Sequence, residues 1–270
     1  MPQPSEQDTP YFRFCREERN LAALLYHHWL ASPKNLEAFI RLVDAGLQGD
    51  PAECEVYYEF AMLRDLWDRM EDAEVLSALK PTQGLDRRKA FVLGLLPDRL
   101  RSRVADLEPG PWNSFFQVAG KRSVHHVQSP ARWSPAEVEG VTDEERKTLL
   151  QIKWSFNLKP DLVIRTPEGT VICVEAKVGS GESSYVARLP GGERYALRQR
   201  ACQAFMFKTL LMVPEARYRS VLLVRKRSAK GGDIQITWQD AFAAMPTRGG
   251  HPFVQRWLDE NTVYRPQGAR

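Results

Sequence analysis

The chain of 270 residues has little cysteine and histidine, and no apolar run long enough to cross a membrane. Its four cysteines, Cys15, Cys54, Cys173 and Cys202, lie far apart in the sequence, so no CxxC metal or redox motif is present. Each sits among apolar neighbours, which predicts buried thiols. An even count would also allow disulfides, but a reducing compartment opposes them. His27–His28 and His125–His126 are adjacent pairs, and neighbours on a helix point in different directions, so the histidines spell out no zinc site. The longest apolar runs, such as 21–25, fall far short of the ~20 residues a transmembrane helix needs. Residues 1–10 are polar and lack the basic-then-apolar pattern of a secretory signal. These absences set the expectation of a cytoplasmic protein with no membrane partner.

Hydrophobic residues make up 43% and charged residues 27% of the chain, the balance of an ordinary globular protein. The formal net charge is +4, and arginine supplies 27 of the 38 basic residues. A mild positive charge permits nucleic acid as a partner without requiring it. Guanidinium groups suit bidentate phosphate contacts, although GC-rich coding sequence produces the same bias.

Residues 14–31 read as an amphipathic helix with Leu21, Leu24, Leu25 and Trp29 in its stripe, ended at Ser32–Pro33. From 34 to 107 the periodicity is helical throughout, predicting helices at 35–47, 51–70, 72–79, 85–95 and 97–107. No strand pattern is visible there, and Tyr57, Tyr58 and Trp67 read as core residues. Residues 108–135, with four prolines and two glycines, suggest an irregular connection. A short helix at 142–150 carries a capping-box pattern, Thr142 with Glu145. Beyond it the pattern becomes strand-like at 152–158 (weakly), 161–166, 170–177, 220–225 and 234–238. A Gly/Ser-rich stretch at 178–192 and a long amphipathic helix at 193–212 intervene, and helices at 239–245 and 252–260 close the chain. The expected fold is α/β with an inserted all-helical subdomain. The expected division is a leader and first core helix (1–33), a helical accessory block with its connection (34–135), and an α/β core (136–270).

The segment Lys-Pro-Asp-Leu-Val-Ile-Arg-Thr-Pro-Glu-Gly-Thr-Val-Ile-Cys-Val-Glu-Ala-Lys, residues 159–177, carries the chemistry. Folded as a hairpin centred on Glu168, it places Asp161 opposite Glu175, with Cβ atoms roughly 4.5–5.5 Å apart. Lys177, two residues after Glu175, points to the same face. Leu162, Ile164, Ile172, Val174 and Ala176 form the opposite, apolar face. Two carboxylates this close repel, and neither tolerates burial alone. A divalent cation relieves the repulsion, and Mg²⁺ binds through one or two carboxylates plus waters and a substrate phosphate. Lys177 is then placed to contact a scissile phosphate or an attacking water. Two other stretches carry the same residue types: Pro97-Asp98 reads as a helix start, and Glu145 and Lys147 of Glu145-Arg146-Lys147 as solvated helix charges.

Pro160-Asp161, thirteen intervening residues and Glu175-Ala176-Lys177 on an apolar strand resemble the PD-(D/E)xK nuclease superfamily, which includes restriction enzymes and RecB-like nucleases. The resemblance covers about residues 152–226 and the helix at 14–31, and does not reach 34–135. It implies a restriction-endonuclease-like core, a central mixed sheet flanked by helices, and a nuclease dependent on Mg²⁺ or Mn²⁺, with Asp161 and Glu175 as metal ligands and Lys177 catalytic. Many RecB-like members place a glutamine four residues before an aromatic on the following helix. Gln203 with Phe207 matches that form, with Gln199 as the alternative, and Tyr195 would share their face. The family often draws one more acid from the first helix, here Glu18 ahead of Glu17; both would otherwise read as N-terminal acids complementing the helix dipole. The four-cysteine iron–sulfur cluster of some members has no counterpart, since only Cys202 follows the motif.

By this resemblance the expected activity is phosphodiester hydrolysis, with DNA ahead of RNA as substrate, in prokaryotic defence or repair, and with homodimers common among such enzymes. The competing readings are a nucleic-acid- or protein-binding module on a nuclease-like fold without turnover, and an RNA-directed nuclease with the same site. Basic clusters at Arg87-Arg88-Lys89, at Arg99, Arg101 and Arg103, and at Arg225-Lys226-Arg227 with Lys230 are candidate phosphate contacts or solvated faces.

Overall fold

Proline at position 33 lies in the first turn of a helix, where its missing N–H leaves no bond unmade. It separates two helices that the sequence on either side makes amphipathic. The computed structural model describes residues 18–47, 49–70, 87–178, 182–228 and 234–246. Its helices are α1 (Glu18–Ala31), α2 (Pro33–Val43), α3 (Met62–Arg69), α4 (Arg87–Leu95), α5 (Asp98–Val104), α6 (Pro109–Phe115), α7 (Asp143–Asn157), α8 (Gln199–Phe205) and α9 (Trp238–Ala243). Its strands are β1 (Glu55–Tyr58), β2 (Leu162–Arg165), β3 (Val171–Ala176), β4 (Ser184–Arg188), β5 (Arg194–Arg198), β6 (Tyr218–Val224) and β7 (Ile234–Thr237). The chain divides into two units: 1–60, 160–182 and 213–270 form one, and 61–159 with 183–212 form the other.

The first unit is built on a mixed sheet of order β1-β2-β3-β6-β7. β1, β2 and β3 run antiparallel in turn, and β6 and β7 continue parallel to β3. β3 is therefore paired on both edges, and all six of its residues are buried. One face of the sheet, with Leu162, Ile164, Ile172, Val174, Val221 and Ile236, shares a core with Leu21, Leu25 and Trp29 of α1, Phe39 of α2 and Trp238 of α9. Trp29 and Phe39 pack with ring centroids 4.6 Å apart. The α/β class and the helix-flanked mixed sheet agree with the sequence analysis.

The second unit has its own aromatic centre. Trp112, Phe116 and Trp133 have no exposed surface, and Phe116 and Trp133 stack with centroids 4.0 Å apart. The loop around them is held by Asn113, also fully buried. Its Nδ2 donates to the carbonyls of Ser123 and His126 at 2.8 Å, and its Oδ1 accepts from the Gln128 N–H at 2.9 Å. Arg146 is likewise buried and donates through one nitrogen to the carbonyls of Pro135, Ala136 and Val138. α7 begins with the expected capping box, Thr142 and Glu145 exchanging bonds; Glu145 is therefore buried rather than a solvated helix charge, and it pairs with Arg99.

Several expectations are corrected. The block 34–135 is not all helical: 55–58 is strand β1, at the sheet edge, and Tyr57 on it is 38% exposed rather than core. Its pairing with β2, more than a hundred residues on, overrides local periodicity. Residues 152–158 continue α7 rather than form a strand. The stretch at 193–212 opens with β5 and passes through α8 into a π-helical turn at Met206–Leu210. Part of 178–192 is strand β4, and 108–135 contains α6 and a 3₁₀ turn at Pro130–Arg132, with a second beginning at Pro135. The sequence-based boundary at 135/136 falls within the second unit, while α2 and β1 belong to the first. The helices expected at 72–79 and 252–260 lie outside the described residues, as do 1–13, Cys15 and Lys230. Cys173 and Cys202 are buried thiols in no disulfide, and Cys54 is a half-buried one.

Removing the Asn113 amide would leave two carbonyls and one N–H of a buried loop without partners. Asn113→Ala is expected to lower the unfolding free energy by at least about 2 kcal/mol, read from urea denaturation; a loss under ~0.5 kcal/mol would show that the loop does not depend on this side chain.

Candidate active site

The β2–β3 hairpin has the register Leu162↔Val174, Val163↔Cys173 and Ile164↔Ile172. Continued by one residue, it sets Asp161 opposite Glu175, as the hairpin centred on Glu168 requires. Glu175 is 1% exposed, an acid on an otherwise apolar central strand. Its Oε1 accepts from Lys177 Nζ at 2.8 Å, the i, i+2 pair that strand pleating puts on one face. Asp161 Oδ2 accepts from the Ala176 N–H at 2.7 Å, which ties the start of β2 to the end of β3.

Glu18, in the first turn of α1, enters the same cluster. Its Oε1 accepts from the Val178 N–H at 2.9 Å, and its Oε2 lies 3.5 Å from Lys177 Nζ. The first helix is thus joined to the strand end through an acid 160 residues away in sequence. Glu17 lies outside the described residues. Gln203 and Gln199 lie on α8 of the second unit, Gln203 fully buried. Tyr195 is on β5 and Phe207 in the π-helical turn, so the four residues do not form one continuous α-helical stripe.

The backbone of Lys177 is held from two sides. Its N–H donates to the Leu223 carbonyl on β6 at 2.7 Å, and its carbonyl accepts from Trp238 Nε1 at 3.0 Å. Trp238 has no exposed surface and opens α9 directly after β7. Its bond to the Lys177 carbonyl was missed by sequence reasoning, because nothing in its local pattern marks a tryptophan that bonds a backbone 61 residues earlier.

Three carboxylates around one ammonium leave the cluster with surplus negative charge. Burial works against the charge on Lys177, yet its bond to Glu175 and the charges of Glu175, Glu18 and Asp161 outweigh it and raise its pKa above 10.5. Lys177 is therefore a firm cation. Asp161 is pushed the other way for a carboxylate, from 3.8 up to about 7, first by burial and next by the charge of Glu175. The Ala176 N–H and Lys177 oppose that rise without cancelling it, and Glu18 adds to it.

Asp161 and Glu175 form a two-carboxylate set of hard oxygen donors with unrelieved repulsion, which fits a divalent ion held by one or two carboxylates and otherwise by water. Among the described residues no group of three or more His, Cys, Asp or Glu side chains is placed to hold a metal ion. Glu18 meets the cluster through Lys177 and the Val178 N–H.

The basic clusters noted in the sequence are largely engaged within their own units. Arg88 donates to the Trp67 carbonyl and lies over its ring, and Lys89 donates to the Leu107 carbonyl. Arg99 pairs with Glu145, Arg101 donates to the carbonyls of Leu93 and Leu96, and Arg103 donates to that of Gly140. Arg227 pairs with Asp240 at 2.8 Å.

Because the folded pKa of Asp161 lies above its unfolded value, the folded chain holds a proton that the unfolded chain has released between about pH 4 and pH 7. Stability falls as pH rises through that window and stays lowered above it. Asp161→Asn abolishes the penalty. In metal-free buffer it is expected to melt on the order of 5 °C above the unchanged protein at pH 8, with the gap closing near pH 4. Equal melting temperatures at pH 8 would show that the carboxylate is not under this strain. No protein-family model, curated protein or solved structure matches the chain.

Proposed function

We propose that the chain is a metal-dependent nuclease of the PD-(D/E)xK type, hydrolysing phosphodiester bonds with DNA ahead of RNA as substrate. The observation that carries this reading is the facing of Asp161 and Glu175 across β2 and β3 with Lys177 Nζ 2.8 Å from Glu175. The mixed sheet flanked by helices is compatible with a restriction-endonuclease-like core.

Asp161 and Glu175 would hold Mg²⁺ or Mn²⁺. When bound, the ion supplies positive charge against the phosphate and the means to deprotonate water at neutral pH. Lys177, with its raised pKa, stays protonated and does not abstract a proton. It donates hydrogen bonds to a phosphate oxygen or to the attacking water, and its charge favours the pentacoordinate transition state. Glu18 and Glu175 aim the ammonium, and Trp238 and Leu223 hold its backbone. The low exposure of Glu175 and Lys177 strengthens each of these interactions relative to water.

The test is cleavage of plasmid DNA and of a structured RNA with Mg²⁺, Mn²⁺ or EDTA. Lys177→Ala is expected to cut at least about 10²-fold more slowly. It also deprives buried Glu175 of the Lys177 ammonium, which destabilises by up to a few kcal/mol. Asp161→Asn, whose fold the site favours, is therefore the second variant and is expected to lose metal-dependent cutting while remaining folded by circular dichroism. Undiminished cutting by both folded variants would remove the mechanism. Binding of DNA without cutting in any divalent metal would favour a binding module instead.

A further inference from the structure

Strands β4 and β5 form a two-stranded antiparallel ribbon in the register Ser184↔Arg198, Tyr185↔Leu197, Val186↔Ala196, Ala187↔Tyr195 and Arg188↔Arg194. Successive side chains point to opposite faces. One face carries Tyr185, Ala187, Tyr195 and Leu197, all half-buried. Tyr185 and Tyr195 stack on Trp154 of α7 with centroids 5.7 and 5.6 Å away. This is the anchored face of the ribbon.

The other face carries Ser184, Val186 and Arg188 on β4, and Arg194, Ala196 and Arg198 on β5, every one exposed. Three of these six residues are arginines and none is acidic. The nearest acids in sequence, Glu182 and Glu193, lie outside both strands. Beyond the backbone ladder of the ribbon, no side-chain hydrogen bond, ion pair or ring contact joins Arg188, Arg194 or Arg198 to any described residue. That contrasts with Arg88, Arg99, Arg101 and Arg103, which are all engaged. Arg188 and Arg194 are also directly opposed, and like charges in that position disfavour strand pairing. Nothing on the ribbon offsets the repulsion, whereas an external anion would.

The shape of the charge selects the anion. Arg194 and Arg198 are four residues apart on one strand, about 14 Å at 3.4 Å per residue, and Arg188 lies beside Arg194. The positive stripe runs lengthwise and suits a linear polyanion better than a single phosphate. Its tip turns through Gly191 and Gly192, at φ of 92° and 89°, and a Cβ on either would meet nothing within 4 Å. A narrow two-stranded ribbon fits the ~12 Å major groove of B-form DNA, whereas the deep, narrow major groove of A-form RNA excludes it.

We propose that the outer face of the β4–β5 ribbon binds the backbone of duplex DNA, with Arg188, Arg194 and Arg198 contacting phosphates. The choice of DNA rests on the nuclease reading above, but the test does not use cleavage. Binding of the full chain to a labelled duplex is measured by fluorescence anisotropy in EDTA, from 50 to 200 mM salt. The plot of log K against log salt steepens by about 0.9 for each phosphate neutralised. The triple variant Arg188→Ala, Arg194→Ala, Arg198→Ala is expected to lose about 2.7 of that slope together with affinity. The matching triple lysine variant keeps the slope, which separates lost charge from a disturbed ribbon, and Arg198→Ala alone loses about 0.9. An unchanged slope in the alanine variant overturns the proposal. So does failure of the unchanged protein to bind duplex, or a loss confined to structured RNA. Salt-sensitive DNA binding without metal-dependent cutting would overturn the nuclease reading and leave the ribbon standing; cutting with an unchanged slope would do the reverse.

Discussion

Glu175 is an ionisable side chain in the middle of a sheet, on a strand whose other residues are Val171, Ile172, Cys173, Val174 and Ala176. Burying a lone carboxylate is costly, and the cost is tolerable only if a partner charge is brought to it. Lys177 provides that partner from two residues along the same strand direction. Much of the first unit can be understood as holding this pair in place. β6 binds the Lys177 N–H, Trp238 binds its carbonyl, and Glu18 bonds the next residue while approaching the ammonium.

The cluster remains electrostatically unfinished. One ammonium faces three carboxylates, and burial, with the charge of Glu175 added to it, lifts the pKa of Asp161 to about 7. A fold optimised for stability alone would place an amide or an apolar residue there. Retaining a strained acid beside a buried one suits a site whose charge is completed by a bound cation and a phosphate. The surrounding core keeps the geometry rigid: helices α1, α2 and α9 share one apolar cluster with the sheet that carries the acids.

The basic residues divide into two populations. Those on α4 and α5 bind carbonyls, carboxylates and rings within the second unit, and so act as structural cross-links. Those on the outer face of the β4–β5 ribbon make no side-chain hydrogen bond, ion pair or ring contact with a described residue. In sequence the first population forms conspicuous runs, while the second is scattered through a stretch rich in glycine and serine. Clustering along the chain was thus a poor guide to which cations are free to meet a ligand, because strand pairing assembles a charged face from residues 4, 6 and 10 apart.

The acids and lysine of the site were legible in the sequence because a tight hairpin is a local device. Two apolar strands around Pro167-Glu168-Gly169 fix their own register, and strand pleating then determines which side chains share a face. The capping box at Thr142 and the stripe of α1 were readable for the same reason. What the tertiary structure decided was non-local. Glu55–Tyr58 is strand because β2 offers it an edge, and four residues are too few for periodicity to announce it. The stretch after 193 splits into strand, helix and π turn because its first residues pair with β4 and Tyr195 stacks on Trp154. Trp238 reaches Lys177 only because β7 and β6 bring the start of α9 to the end of β3. Local sequence determined the facing acids and their lysine; the charges and backbone contacts that strain and hold them came from segments that meet only in the folded chain.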